Sequence, residues 1–259
     1  MAMYDSDLIT NHSFDLNYIP PYLQQAQWAE MIELKKTIHQ LSKKLHKKIS
    51  ILDIGVGNAR VPLQLSGIPE IWNCIEKYVG TDNAMNCVNI AKQVVIDNKL
   101  NDKVDIVLLD AEDLASTPNS YDMIITTWFT GGNFYPSTYS FTEIENHWQP
   151  IDLTFNPKFD KVFSTAFNLL NKHGLLVFGA LYLNNDATRI KQENAYKQMG
   201  MTVITNPKDD YTATKEGFWS QRFTPNLLQQ YLHFAIPQNI FITPLDTYDY
   251  AVQVVAQKH

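Results

Sequence analysis

The feature that most restricts what this chain can fold into is residues 51–60, ILDIGVGNAR: an apolar run ending in Asp53, glycines at 55 and 57, and helical sequence resuming at Ala59. That order describes a buried strand, a sharp turn and a helix start. Glycine suits the turn because a backbone that bends tightly and passes close to a ligand has no room for a Cβ. The helix behind it presents unpaired amide donors to whatever lies above. A dinucleotide turn of the G-x-G-x-x-G type needs a third glycine, and Arg60 stands in that position. Taken alone, the segment also reads as an ordinary strand-to-helix turn with incidental glycines.

The rest of the chain repeats the alternation. Apolar residues at Leu23, Met31, Leu34, Ile38, Leu41 and Leu45 recur at helical spacing through 22–47, which predicts one amphipathic helix or two. Helices are expected at 59–65, 84–99, 159–170 and 186–199, and another opens at Thr224-Pro225 by N-cap and first-turn proline chemistry. Strands are expected at 78–82, 104–112, 121–127 and 174–183, with a closing pair at 240–242 and 250–256. Residues 67–77 are ambiguous between loop and helix, and 171–174 read as a loop. Residues 202–223 read as a hairpin insertion with 216–223 as its return strand. Residues 1–20 lack periodicity and read as an irregular aromatic arm. Strands alternating with helices at this period argue a parallel sheet.

Two later strands also end in acids. Asp82 closes the second, where a carboxylate can accept both hydroxyls of a ribose, and Asn83 follows it. Asp110 closes the third. With 45% hydrophobic and 19% charged residues, the chain can bury a sizeable core. The net charge is −6, and the densest basic run, residues 43–48, reads as a solvated helix face. Nucleic acid is therefore not an expected partner. No run is apolar enough to span a bilayer, and Cys74 and Cys87 have neither metal nor disulfide spacing; a cytoplasmic setting is expected. The seven histidines show no metal-ligand pattern, so no metal is expected. One domain over 1–259 is predicted: arm and helix 1–47, core 48–183, substrate-side insertion 184–236 and closing strands 237–259.

The D-x-G-x-G turn with an acid at the strand end resembles motif I of the class I S-adenosylmethionine-dependent methyltransferases. The likeness extends in order through Asp82, Asp110-Ala111 and the strand end at Thr127. It implies an α/β, doubly wound, mostly parallel seven-stranded sheet with one antiparallel closing strand. It also implies S-adenosylmethionine as cofactor, held by Asp53, Gly55, Gly57, Asp82, Asn83, Asp110, Ala111 and Thr127. In the resembled class Asp110 and the Ala111 amide would meet the adenine edge, with Glu112 and Asp113 as alternatives to Asp110. The Asn/Asp-Pro-Pro-aromatic sequence of methyltransferases that modify base or glutamine nitrogens is missing after Thr127. Residues 130–134, TGGNF, are instead similar to the T-x-G-N-F stretch of the histidine-betaine-forming branch, which implies that Asn133 holds a substrate.

The substrate side is dense in rings: Trp128, Phe129, Phe134, Tyr135, Tyr139, Phe141 and Trp148. They read either as a lid's own core or as a pocket around an amine or a planar substrate. Asn133, Tyr135 and His147 are the candidates for catalytic contact; His147 reads more readily as a surface or packing residue. Trp128, Phe129, Asn133, Tyr135, Tyr18 and Tyr22 are the candidate substrate contacts, with Arg222 as a carboxylate clamp. Methyl transfer is an in-line displacement that needs alignment and exclusion of water, so no triad or metal cluster is required. The reading is methyl transfer to nitrogen or oxygen of a small molecule, such as an amine or amino acid. A protein-modifying enzyme and a catalytically silent cofactor-binding subunit are the alternatives.

Overall fold

The computed structural model describes residues 4, 7–117, 119–136, 144–146 and 151–259. Tyr139, Phe141, His147 and Trp148 lie outside the described residues. Five parallel strands form the sheet in the order β3-β2-β1-β4-β5, where β1 is Ile49–Ile54, β2 Ile75–Asp82, β3 Val104–Leu108, β4 Tyr121–Thr126 and β5 Leu170–Tyr182. Two late strands complete it on the β5 side. With β6 (Tyr211–Ala213) and β7 (Trp219–Gln221) forming a separate hairpin, β9 (Ala251–Gln257) pairs antiparallel to β5, and β8 (Ile240–Pro244) forms the edge. The sheet is the predicted seven-stranded, mostly parallel one.

Strand periodicity of two sorts the core into layers. Ile51, Met123, Ile125 and Val177 face one side, where they meet α2 (Pro21–Leu45) and, after the short α3 (Arg60–Ser66) and α4 (Pro69–Trp72), α5 (Met85–Asp97). Leu52, Ile124, Leu176 and Phe178 face the other side, against α6 (Pro157–Asn168) and, beyond α7 (Asp186–Gln198), α8 (Pro225–Tyr231). The chain reverses direction across the sheet between β1 and β4, which opens a crevice at their carboxyl ends. Gly55, Gly57, Asp82, Asp110 and Thr127 all border that crevice.

Several boundaries differ from expectation. The periodic segment 22–47 is a single helix that begins with proline at its first position and ends at His46 in the left-handed region, φ 53°. The arm is not irregular throughout: α1 (Asp7–Phe14) is a helix. Eight residues make a helix too short to persist alone, so it forms because its buried Thr10 and Ser13 and its Phe14 have the domain to pack on. Residues 171–174 are part of β5 rather than a loop, absorbed by a register shift opposite Tyr121 and Met123. Residues 67–77 divide into α4 and the start of β2. The 202–223 hairpin shortens to three paired residues per strand, turned at Gly217, φ +88°.

Candidate active site

A cavity of about 550 Å³ occupies the crevice. Its floor is the glycine turn. Gly55 and Gly57 have φ of +78° and +57°; a Cβ on Gly55 would fall 2.7 Å from Thr130 Cγ2, and one on Gly57 would fall 3.2 Å from the Phe14 ring. At Gly55 both conformation and space demand glycine; at Gly57 the left-handed conformation favours it, and the Phe14 ring would have to give way by a few tenths of an ångström. Ala59 takes the left-handed conformation before α3 with φ 58° and is fully buried.

Asp82 braces this turn from the neighbouring strand. Its Oδ2 accepts the Gly57 N–H at 3.0 Å and its Oδ1 accepts the Ala84 N–H at 3.0 Å. The carboxylate also lines the cavity wall. Further along, Asp110 caps the short 3-10 turn Ala111–Ser116 through Glu112 N–H, and Asn83 Nδ2 donates to its Oδ2 at 3.1 Å. Partial burial pushes the Asp110 carboxyl up, but these bonds and the nearby Lys158 and Lys161 outweigh it and hold it below the usual carboxylate range. Asn83, Asp110, Ala111 and Thr127 all line the cavity.

Asp53 is the exception among the expected cofactor contacts. It lies beneath the turn, fully buried and away from the cavity lining, and accepts the Tyr78 hydroxyl at 2.5 Å. Burial pushes its carboxyl up to about 7, with the Tyr78 bond only partly opposing the shift. An unfolded aspartate titrates near about 3.9. Between those values the folded chain holds a proton that the unfolded chain has released, so the contribution to stability is complete below about pH 4 and lost as pH rises through about 7. Asp53→Asn, which stays neutral, should therefore gain on the parent over that interval. Denaturant unfolding of both at pH 5 and pH 8 checks it: the gap must move in the variant's favour by more than about 1.4 kcal/mol, one pKa unit's worth. A constant gap would contradict a buried neutral Asp53.

The opposite end of the cavity is aromatic. Trp128 and Phe129 follow β4 with successive left-handed backbones, φ 54° and 61°, an unusual pair for bulky residues. The reversal sends them to different places. Trp128 lines the cavity, whereas Phe129 is 5% exposed, stacks on Tyr182 at 3.7 Å and lies off the main cavity lining. Asn133, Phe134 and Tyr135 line the cavity, and Tyr135 packs edge-on to Trp219 of β7 at 5.1 Å. Asn133 Oδ1 is buried without a hydrogen-bond partner. Gly131 and Gly132 let this turn lie close to its neighbours: a Cβ on Gly132 would meet the Gln221 carbonyl at 2.9 Å.

Three further expected substrate contacts are corrected. Arg222 is 1% exposed and does not line the cavity; Nη1 donates to Gln192 Oε1 at 2.6 Å and Thr212 Oγ1 at 2.8 Å, and Nη2 donates to the Asp209 and Tyr211 carbonyls. It ties the hairpin to α7 and is not placed to clamp a ligand carboxylate. Arg222→Met should cost about 2–4 kcal/mol of stability, because it strands several buried acceptors, and leave ligand affinity intact. Unfolding and calorimetry on one preparation measure both; undiminished stability would refute the structural role. Tyr22 donates its hydroxyl to the Lys191 carbonyl and sets its ring edge-on to Tyr250, and Tyr18 is 40% exposed and stacks on His12 at 3.9 Å. Neither lines the cavity. The arm reaches it through Tyr4, Ser13, Phe14, Leu16 and Ile19 instead. A single sequence carries no signal for which ring of an aperiodic arm turns inward.

Two further contributors escaped sequence reasoning: Trp219, on the hairpin, and Glu30, on α2. Trp219 stood within the predicted return strand, and alternation along that strand could have raised it. Nothing local marks Glu30, since its partners are distant in sequence.

Residues 45–235 match the family profile described as a methyltransferase domain. The chain belongs to this methyltransferase family. Solved structures agree in fold. An S-adenosylmethionine-dependent methyltransferase from Clostridium acetobutylicum aligns at 11% identity with a TM-score of 0.56, over 90% of this chain and 91% of that one. Magnesium protoporphyrin IX methyltransferase from Synechocystis, solved with bound S-adenosylmethionine, aligns at 12% identity and a TM-score of 0.52, over 99% and 93%. An O-methyltransferase family protein from Burkholderia thailandensis gives 10% and 0.53, over 87% of this chain and 55% of that one. No curated protein is significantly similar in sequence. The methyltransferase uses S-adenosylmethionine, and the cavity suits it: a glycine cradle crowded against any Cβ, an acid at the end of β2, and a second acid just beyond β3. Among the described residues no helix is long and apolar enough to cross a membrane.

Proposed function

We propose that this methyltransferase alkylates a nitrogen or oxygen of a small molecule, with an amine nitrogen as the favoured acceptor. The observation that carries the reading is the continuity of one cavity from the glycine turn to a wall of Trp128, Tyr135 and Trp219, with the buried Asn133 Oδ1 still needing a donor. An amine N–H or a hydroxyl can satisfy that oxygen. A neutral amine gains positive charge as it is alkylated, and ring faces stabilise a developing cation by roughly 0.5–2 kcal/mol each.

When bound, S-adenosylmethionine supplies an electrophilic sulfonium methyl. Gly55 and Gly57 would let the backbone approach it, Asp82 would accept the ribose hydroxyls, and Asn83, Asp110 and Ala111 would border the adenine. Asp53 acts from below by fixing the turn. Asn133 orients the acceptor, while Trp128, Tyr135 and the arm exclude water, so that rate comes from alignment.

The test is methyl transfer from labelled cofactor to a panel of small amines, phenols and carboxylic acids, with a mixture of unfolded proteins alongside. Transfer to amines is the expected result. Label confined to protein would replace this reading with a protein-modifying enzyme. Cofactor binding with no transfer to any class would favour a silent binding subunit.

A further inference from the structure

Glu30 enters the site from α2 and is fully buried. Its Oε2 accepts Arg60 Nη2 at 2.8 Å, and its Oε1 accepts the Trp128 N–H at 2.7 Å. Room for the carboxylate exists because residue 179 of β5 is glycine, where a Cβ would lie 2.5 Å from Glu30 Oε1. One side chain thus joins the first residue of α3 to the strained turn after β4, 98 residues beyond Glu30 itself.

A buried ion pair gains little stability by itself over an apolar substitute, so its position invites a functional explanation. Arg60 lines the cavity with Gly55, Gly57 and Trp128, and its guanidinium lies over the Trp128 ring at 6.0 Å from the centroid. Glu30 engages only Nη2, and Nη1 is buried without a hydrogen-bond partner. Lys158 is the other Lys or Arg lining the cavity among the described residues, and it pairs with Glu112 near the Asp110 end. A guanidinium held by a buried carboxylate, with a donor still unsatisfied, is equipped to take a carboxylate from a ligand.

We propose that Arg60 receives the carboxylate of the cofactor's amino-acid portion, and that Glu30 is a positioning residue which aims Arg60 and ties it to the Trp128 backbone. The inference rests on the methyltransferase assignment, and two ligands separate the two claims. S-adenosylhomocysteine carries the amino-acid portion; 5′-methylthioadenosine keeps the nucleoside and lacks it.

The experiment is calorimetry of both ligands with the full-length chain, with Arg60→Met, and with the double variant Glu30→Gln/Arg60→Met, in which no buried charge is left unpaired. Both variants are expected to lose S-adenosylhomocysteine affinity by about thirtyfold or more while binding 5′-methylthioadenosine within about twofold of the parent. Glu30→Gln alone should lose about five- to tenfold on S-adenosylhomocysteine only. Unchanged S-adenosylhomocysteine affinity in the double variant would overturn the proposal, and so would an equal loss for both ligands, which would mark the pair as structural. If Arg60 instead served an acceptor's carboxylate, S-adenosylhomocysteine affinity would stay at the parent value. A parent chain that bound neither ligand would refute the assignment of the cradle itself.

Discussion

Asp82→Ala is expected to weaken S-adenosylhomocysteine binding by about 2–4 kcal/mol, on the order of a hundredfold, through loss of two charge-assisted bonds to the ribose. The same carboxylate bonds the amides of Gly57 and Ala84, so its removal should also loosen the ligand-free turn. The alanine variant alone would therefore confuse cradle damage with lost contact. Asp82→Asn separates them: its amide oxygen still accepts one backbone N–H, while the paired negative acceptor is gone. The asparagine variant should melt closer to the parent than alanine does, yet bind S-adenosylhomocysteine at least tenfold more weakly. If its affinity matches the parent's, the ribose is held elsewhere.

Removing residues 1–18 should lower S-adenosylhomocysteine affinity about tenfold and methyl transfer by more. Ser13, Phe14 and Leu16 line the cavity, and the Phe14 ring lies against the face of Gly57, with Tyr4 stacked on it at 6.1 Å between centroids. A tenfold change in affinity corresponds to about 1.4 kcal/mol, just under the roughly 1.5–3 kcal/mol for burying one large apolar side chain, as expected once the cost of reordering is deducted. Transfer should suffer further, because the arm also helps keep water from the reacting atoms. A truncated chain that binds and transfers like the full one would mean that the arm only decorates the fold.

Local chemistry made much of this protein legible in advance. The strand-turn-helix at 51–60, the acids ending β2 and β3, and the apolar strands β4 and β5 are patterns written over five to ten consecutive residues, and each carries its own geometric demand. Their order along the chain then specifies a parallel sheet and the end at which it opens. Gly55 and Gly57 could be placed at the floor of a site because a sharp turn that approaches a ligand favours residues without a Cβ.

Tertiary structure decided what depends on which partner arrives. Arg222 in an aromatic strand looks available for a carboxylate until the Gln192 and Thr212 side chains and two hairpin carbonyls surround it. Trp128 and Phe129 are neighbours of like chemistry, and only their left-handed backbones send one to the cavity and the other onto Tyr182. Tyr18 and Tyr22 lost the arm's inward positions to Tyr4 and Phe14 for the same reason: an aperiodic segment takes its orientation from the surface it meets. Glu30 is the furthest case. On its own helix it is one more residue between apolar positions, and its role exists only where α2 crosses Gly179, Arg60 and Trp128, since a hydrogen bond between residues 98 apart leaves no period in the sequence.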